Sequence, residues 1–490
     1  MRTQSVYLVF FATSAQDFGC LASLTDIDQS NYFDNSLTGP WINANINNKS
    51  MTKHFFINLF KSLRSHWPII IILLIALAVR LYRISEMALF DFDQEYAVNF
   101  ARQVKEYPIR IVGQGLSVQG LFMGPWYFYL MTPFFWLTNL HPLGGYIGSM
   151  LLGTFTVYVY YWVATKMFGH KAGLMAAFLR AILFKSIYED WAIVPSYSSD
   201  LLVVLLWYWL YLYWQRRSPN YIYAGLILGL FTSWHPIQFP FYFIFIVVIV
   251  GRLPKINLKS IFLFITSFII PVSPLILFEY LRNFAMSKQI LNMFTQPATE
   301  SSNLSGRLIY LLNIIVSRVL ELIDVSLQFQ GSYIISIFII FAIVYLAYKL
   351  SSSKFHLILI PTIILFIVYY LLFPTHVPDY YLGGISSLLL IYVSVSATFL
   401  YQTNWGKVIL FFWCLGIISQ TSLKLSANYT NPSLANLAHK DAIVREIKAD
   451  SQGKQIYISY ITELGWKFGY QYLIDYYHIN QSSTAEGVPV

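Results

Sequence analysis

The sequence predicts an all-α polytopic membrane protein, and three observations carry that expectation. Of the 490 residues, 57% are hydrophobic and only 11% charged, and the mean hydropathy is +0.56. The apolar residues fall in continuous runs, many of them close to the roughly 20 residues a helix needs to cross the hydrocarbon. Between those runs stand short basic clusters, the mark of cytoplasmic loops. Continuous rather than alternating runs exclude a β-barrel. The net charge of +9 is spread over these loops, so it does not point to nucleic acid. With Cys20 and Cys414 as the only cysteines, neither a disulfide framework nor a cysteine metal site is expected.

Taken in order, residues 1–50 are polar, Asn-rich and without periodicity, and are expected to be a disordered extension or a mis-assigned start. Met51 opens MTKHFFINLFKSLRSHW, a basic stretch leading into the first apolar segment, Trp67 to Leu81. Lys53, Lys61 and Arg64 place that end in the cytoplasm. The later basic loops are Lys166 to Lys171, Arg216 with Arg217, Arg252 to Lys259, Lys349 to Lys354, and Lys407. If all are cytoplasmic, the crossings pair as 146–165 with 172–188, 200–214 with 221–234, 237–250 with 260–278, 332–348 with 356–373, and 382–400 with 408–422. That gives about 11 transmembrane helices. It also requires the aromatic segment GPWYFYLMTPFFWL, residues 124–137, to lie at the outer interface rather than cross. Residues 51–425 then form the membrane domain. Residues 426–490 form a small extracytoplasmic α/β segment, with QIYISYI read as a strand and LGWKFGYQYLIDYYHI as a helix.

This topology gathers the chemistry-bearing residues on the outer face. Asp91, Asp93 and Glu95 follow the first membrane helix, where desolvation makes carboxylates costly and therefore candidates for function. The second outer loop brings Glu189 and Asp190, the third His235, and the fifth His376 and Tyr381. Such an array suits a reaction whose donor is anchored in lipid. Asp93 would accept a proton from an attacking hydroxyl, and a cation would stabilise a leaving phosphate. Arg282, Arg180 and Lys185 are the candidate cations, and Glu189 and Asp190 would position the acceptor. A divalent metal held by acids of two loops is conceivable, but no spacing indicates one, and no cofactor is expected.

The series RLYRI, FDFDQEYAVNFARQV and MGPWYFYLMTPFF resembles the start of GT-C glycosyltransferases of the protein O-mannosyltransferase and aminoarabinose-transferase type. KMFGHKAGLMAAFL, PLILFEYLRNF and HVPDYYLGGISSLLLIY resemble later segments of bacterial members, so the likeness covers about residues 67–400. It implies a GT-C-like fold and transfer of a sugar from a polyprenyl-phosphate carrier to a protein, glycolipid or cell-wall polymer at the outer face of the plasma (inner) membrane. It also implies that Asp93 is the catalytic acid of the first loop. Here Gln94 follows it where the family usually has Glu, which leaves Glu95, Glu189 or Asp190 as its partner. Two rival readings are a transporter or lipid flippase, and a scaffold for cell-envelope enzymes. The clustering of polar residues at one face, and the absence of an internal repeat, count against the transporter.

Overall fold

The computed structural model describes residues 66–490 except 117, 218, 253–257, 296–303, 324–331, 374–376, 461–466, 483–487 and 490. The expectations for residues 1–50 and for the basic stretch before the first helix lie outside the described residues. Residues His66–Val490 form one compact unit.

The first half of the chain runs through α1 (His66–Leu81), the single turn α2 (Ile84–Met87), α3 (Phe92–Glu106), α4 (Trp126–Leu137), α5 (Leu143–Phe168), α6 (His170–Ile182), α7 (Phe184–Asp190), α8 (Asp200–Trp214) and α9 (Tyr221–Trp234). It continues with α10 (Pro240–Gly251), α11 (Leu258–Leu281), α12 (Ala285–Thr295), α13 (Leu304–Ile323), α14 (Ser332–Ser351), α15 (Leu359–Leu371), α16 (Gly383–Leu400) and α17 (Asn404–Thr430). The C-terminal segment holds α18 (Leu437–Ser451), β1 (Ile456–Tyr457), α19 (Tyr470–Tyr476) and β2 (Val488–Pro489). Among the described residues, six helical stretches are long and apolar enough to cross a membrane: α5, α11, Tyr333–Ser351, Lys354–Leu371, Asp379–Leu400 and α17. The apolar α1, α9 and Pro236–Gly251 are shorter.

Two elements show how local chemistry shapes the bundle. α4 has 12 residues and so rises only about 18 Å, too little for a hydrocarbon core of about 30 Å. The sequence reading made 172–188 one crossing, but the helix ends at Ile182 and restarts at Phe184, with Leu183 at φ −54°, ψ 127°. A continuous helix would set Arg180 and Asp190 about 15 Å apart along its axis. The break folds them together instead.

Pro271 and Pro274 do not divide α11. Pro274 has no N–H for the carbonyl of Ile270, and the hydroxyl of Ser273 donates to it at 2.8 Å. The carbonyl of Pro271 accepts from Trp126 Nε1 of α4 at 2.8 Å and from Ser233 Oγ of α9 at 3.1 Å. The carbonyl of Pro271 thus becomes a junction between helices.

Several of the basic loops are held by cation–ring contacts. Lys171 and Lys407 both lie over the ring of Tyr401, at 4.0 and 5.4 Å, and Arg252 lies 4.2 Å over Trp214, which packs on Phe355 beside Lys354. Ahead of the acidic cluster the carbonyl of Arg80 accepts from Trp191 Nε1 at 3.0 Å, and Arg83 Nη1 donates to the carbonyl of Tyr429 at 3.0 Å.

The C-terminal segment is more helical than its sequence suggests. Among the described residues of QIYISYI, Ile456 and Tyr457 pair as strand, parallel to Val488 and Pro489. Among the described residues of LGWKFGYQYLIDYYHI the expected helix covers α19, and α18 is an additional helix. The antiparallel bridge Leu89–Asn436 joins this segment to the chain just ahead of α3.

Candidate functional site

The acidic cluster begins at a helix start. Asp91 is the residue before α3, and its N–H donates to Oε1 of Gln94 at 3.1 Å. A glutamine three residues into a helix closes it this way, and Gln94 is buried. Residues two apart on a helix point about 200° apart, so Asp93 and Glu95 face different partners. Asp93 Oδ1 accepts from Nε2 of Gln114. Gln114 is itself held between strands of backbone by Gly113 N–H to Met123 O at 2.8 Å and Met123 N–H to Gln114 O at 2.9 Å. Burial raises the pKa of Asp93, and nearby Asp91 adds to the rise while the Gln114 amide opposes it. Glu95 turns the other way. It accepts from the N–H groups of Gly469 at 2.8 Å and Tyr472 at 3.0 Å, closing the start of α19.

Asp190 lies in different surroundings. Arg180 donates to both of its oxygens, each at 2.8 Å, and Arg80 Nε donates to Oδ2 at 2.7 Å. Burial alone would raise its pKa, but the two guanidiniums reverse that and hold it below the usual carboxylate range. The remaining guanidinium donors of Arg80 go to the carbonyls of Ala76, Ala181 and Arg180, each at 3.0 Å. Arg180 Nε donates to Asp200 Oδ2 at 2.9 Å. Gly153 of α5 makes room, because a Cβ there would stand 2.3 Å from the Asp190 carboxyl carbon. This buried array ties α1, α6, α7 and α8 together.

Glu189, one residue earlier, borders a cavity of about 340 Å³. Leu183, Phe184, Leu322, Leu390 and Ile417 supply apolar wall, and Lys185, Arg318 and Lys424 supply cations. Lys185 Nζ lies 3.2 Å from Glu189 and 3.6 Å from Asp379, while Arg318 pairs with Glu321 at 3.1 Å and with Asp379. Burial raises the pKa of Glu189 against the pull of Lys185 and Arg318. The Arg180–Asp200 pair forms part of the cavity wall.

The other expected residues are dispersed. His235 is buried, its Nδ1 accepts from the N–H of Ile237 at 3.3 Å, and burial lowers its pKa to about 3. It is a neutral cap for the turn Pro236–Gln238. Tyr381 packs its ring on His235, Tyr380, Tyr370 and Phe373, and it is Tyr380 that lines the cavity. Arg282 is exposed at the end of α11, with its guanidinium 5.9 Å from the Phe278 ring. His376 lies outside the described residues. Among the described residues no group of three or more His, Cys, Asp or Glu side chains is placed to hold a metal ion.

Sequence reasoning passed over Arg80, Arg318 and Lys424. Arg80 had a signal, since an arginine in the last turn of an apolar helix must pair or face the bundle interior. Arg318 had one too, as the charge on the apolar face of the amphipathic α13. Lys424 closes an otherwise ordinary crossing and had none.

The fold defined by these elements is that of a polytopic GT-C protein. The chain aligns with ArnT from Cupriavidus metallidurans bound to undecaprenyl phosphate at a TM-score of 0.54 and 11% identity, over 83% of this chain and 85% of that one. For the same protein in the apo state the TM-score is 0.53 and the identity 12%, with the same coverage. An oligosaccharyltransferase of Archaeoglobus fulgidus, in complex with Zn and sulfate, aligns more loosely, with a TM-score of 0.46, 14% identity, and coverage of 86% of this chain and 62% of that one. No family model and no curated protein matches the sequence. At these identities the likeness to ArnT establishes the fold.

Proposed function

We propose that this protein is an inverting glycosyltransferase that moves a sugar from a polyprenyl-phosphate carrier to an acceptor at the extracytoplasmic membrane face. The observation that carries this reading is the common placement of two features. A cavity with apolar walls and the cations Lys185, Arg318 and Lys424 has Tyr188 in its wall, and Tyr188 faces Asp91, two residues before Asp93, which is held by Gln114 and has no guanidinium or ammonium bonded to it among the described residues. The likeness to a structure that holds undecaprenyl phosphate supports a carrier of that class.

In this reading the carrier's phosphate sits against Lys185 and Arg318, with Asp379 and Glu189 releasing them as it enters. Its apolar tail lies along Leu183, Leu390 and Ile417. The acceptor hydroxyl attacks the anomeric carbon and gives its proton to Asp93. The bond from that carbon to the phosphate oxygen breaks, and the phosphate leaves with the electron pair, stabilised by the two cations. Gln114 orients the base, and binding at the membrane surface supplies proximity. Asp190 contributes by fixing Arg180 and hence the wall of the cavity, and Glu95 by holding the C-terminal segment. The basic loops face the cytoplasm and the loops that carry the acids the outside, with residues 51–425 as the membrane domain and 426–490 outside it.

The test is reconstitution in proteoliposomes with an undecaprenyl-phosphate-linked sugar and extracts of envelope acceptors. Asp93→Asn is expected to abolish transfer while leaving the protein folded. Full activity in that variant would remove the proposal. A cysteine placed in the exposed first loop is expected to be labelled from outside the cell.

A further inference from the structure

The C-terminal segment grips the chain immediately ahead of the acidic cluster, and a lysine lies at the centre of that grip. Lys440 of α18 is 1% exposed. Its Nζ donates to the carbonyls of Phe90 and Phe468, each at 2.7 Å. Phe90 precedes Asp91. Its N–H donates to the carbonyl of Ala435 at 3.0 Å, and the N–H of Leu437 donates to that of Ala88 at 2.9 Å. Gly469 stands at φ 87°, and a Cβ there would meet the Phe90 carbonyl oxygen at 2.6 Å. A buried ammonium requires either partners or opposite charge, and Lys440 has both. It faces Asp91, the residue before α3, Glu95 of α3 and the ring of Tyr470.

The remaining titratable groups around the cluster are uncharged near neutral pH. Asp91 faces Tyr146 of α5 and Tyr188 of α7. Asp93 faces Tyr127 of α4, and Glu95 faces Tyr460. Burial lowers the pKa of Lys440 to about 8, against the pull of Asp91 and Glu95, and Lys440 in turn opposes the rise that burial imposes on Asp91.

We infer that Lys440 is a positioning residue. It fixes the backbone from which Asp91 and Asp93 project, and its charge favours the carboxylate form of Asp91, the acid beside the base. The C-terminal segment is then a working part of the outer face. The inference rests on the reading of Asp93 as the base.

The experiment is an infrared pH titration of the full chain in proteoliposomes, following the protonated-carboxyl absorption assigned by its loss in Asp91→Asn and Asp93→Asn. Lys440→Gln keeps a donor for the carbonyls without the charge, and is expected to raise the midpoint of the pair by about one pH unit. Glu95→Gln removes a neighbouring negative charge and is expected to lower it by less. With an undecaprenyl-phosphate-linked sugar, the acid limb of kcat should move in the same directions, while KM for the donor stays within about twofold because the cavity stands on other elements. An unmoved midpoint in Lys440→Gln would overturn the inference. If that variant does not fold by size exclusion, Asp91→Asn decides: it is expected to lower the midpoint of the Lys440 ammonium itself, followed by nitrogen NMR, and an unmoved ammonium would overturn the inference. If Asp93→Asn still transfers sugar, the reading of the base fails, and the infrared shift still reports on Lys440 independently.

Discussion

The acidic clusters at 91–95 and 189–190 look alike in the sequence, each following an apolar segment and each holding adjacent or alternating carboxylates. In the folded chain they do opposite things. Asp190 is saturated by two guanidiniums and sealed in the bundle, whereas among the described residues Asp93 has a single neutral amide on one oxygen. A carboxylate so fully paired is a structural fixture. One that is partly buried without a bonded cation has a raised pKa and a free lone pair, which suits a base. Within the second cluster the same split recurs, because Glu189 faces the cavity while its neighbour faces the arginines.

Breaking the saturated cluster should have the largest effect. Asp190→Ala leaves Arg80 and Arg180 buried without their shared partner and is expected to cost about 3–5 kcal/mol. Thermal unfolding in detergent would show a large fall in midpoint or no folded protein at all. Gly153→Ala should act in the same direction by pushing on that carboxylate. Asp93→Asn should leave thermal stability almost unchanged and reduce transfer by about 10²–10⁴-fold, the range of a lost general base. A stability loss as large as that of Asp190→Ala would erase the contrast.

Smaller effects sharpen it. Lys185→Ala or Arg318→Ala should weaken binding of undecaprenyl phosphate by about tenfold, as expected for one lost charged hydrogen bond, measured by titration into detergent-solubilised protein. Arg282→Ala, at an exposed helix end, should change that affinity by less than about threefold.

pH separates the clusters by sign. Asp190 has a lowered folded pKa, so the stability it contributes is present above its unfolded pKa and is lost as pH falls through the folded value. Asp91 and Asp93 have raised folded values, so their burial costs stability at neutral pH, and that cost disappears as pH falls through those values. The unfolding midpoint of Asp93→Asn relative to the parent should therefore exceed it slightly at neutral pH and converge on it in acid.

Much of the bundle was legible because hydrophobic runs and basic loops report a crossing without reference to any other part of the chain. The short α4 was legible from its length and prolines. The break at Leu183 was not, since nothing in HKAGLMAAFLRAILFKSIYED disfavours a continuous helix. It exists because Arg180 gains Asp190 by it. Arg80 and Arg318 each gave a local sign, a charge in an apolar helical face, but their partners lie 110 and 61 residues away. Glu95 read as a candidate partner of Asp93 and nothing marked out Lys440; only contact between the first loop and the C-terminal segment shows what they hold.

By itself the sequence determined that this chain is a polytopic helical membrane protein, and which loops carry acid and which carry base. Those properties follow from the cost of placing polar groups in hydrocarbon, which each segment meets on its own. Tertiary structure decided which carboxylates are spent on arginines and which remain open, which cations meet in one cavity, and that the C-terminal segment closes over the first loop. The physical reason is that an ion pair is set by distance in space, and residues far apart in the chain come within 3 Å only when the helices between them have packed.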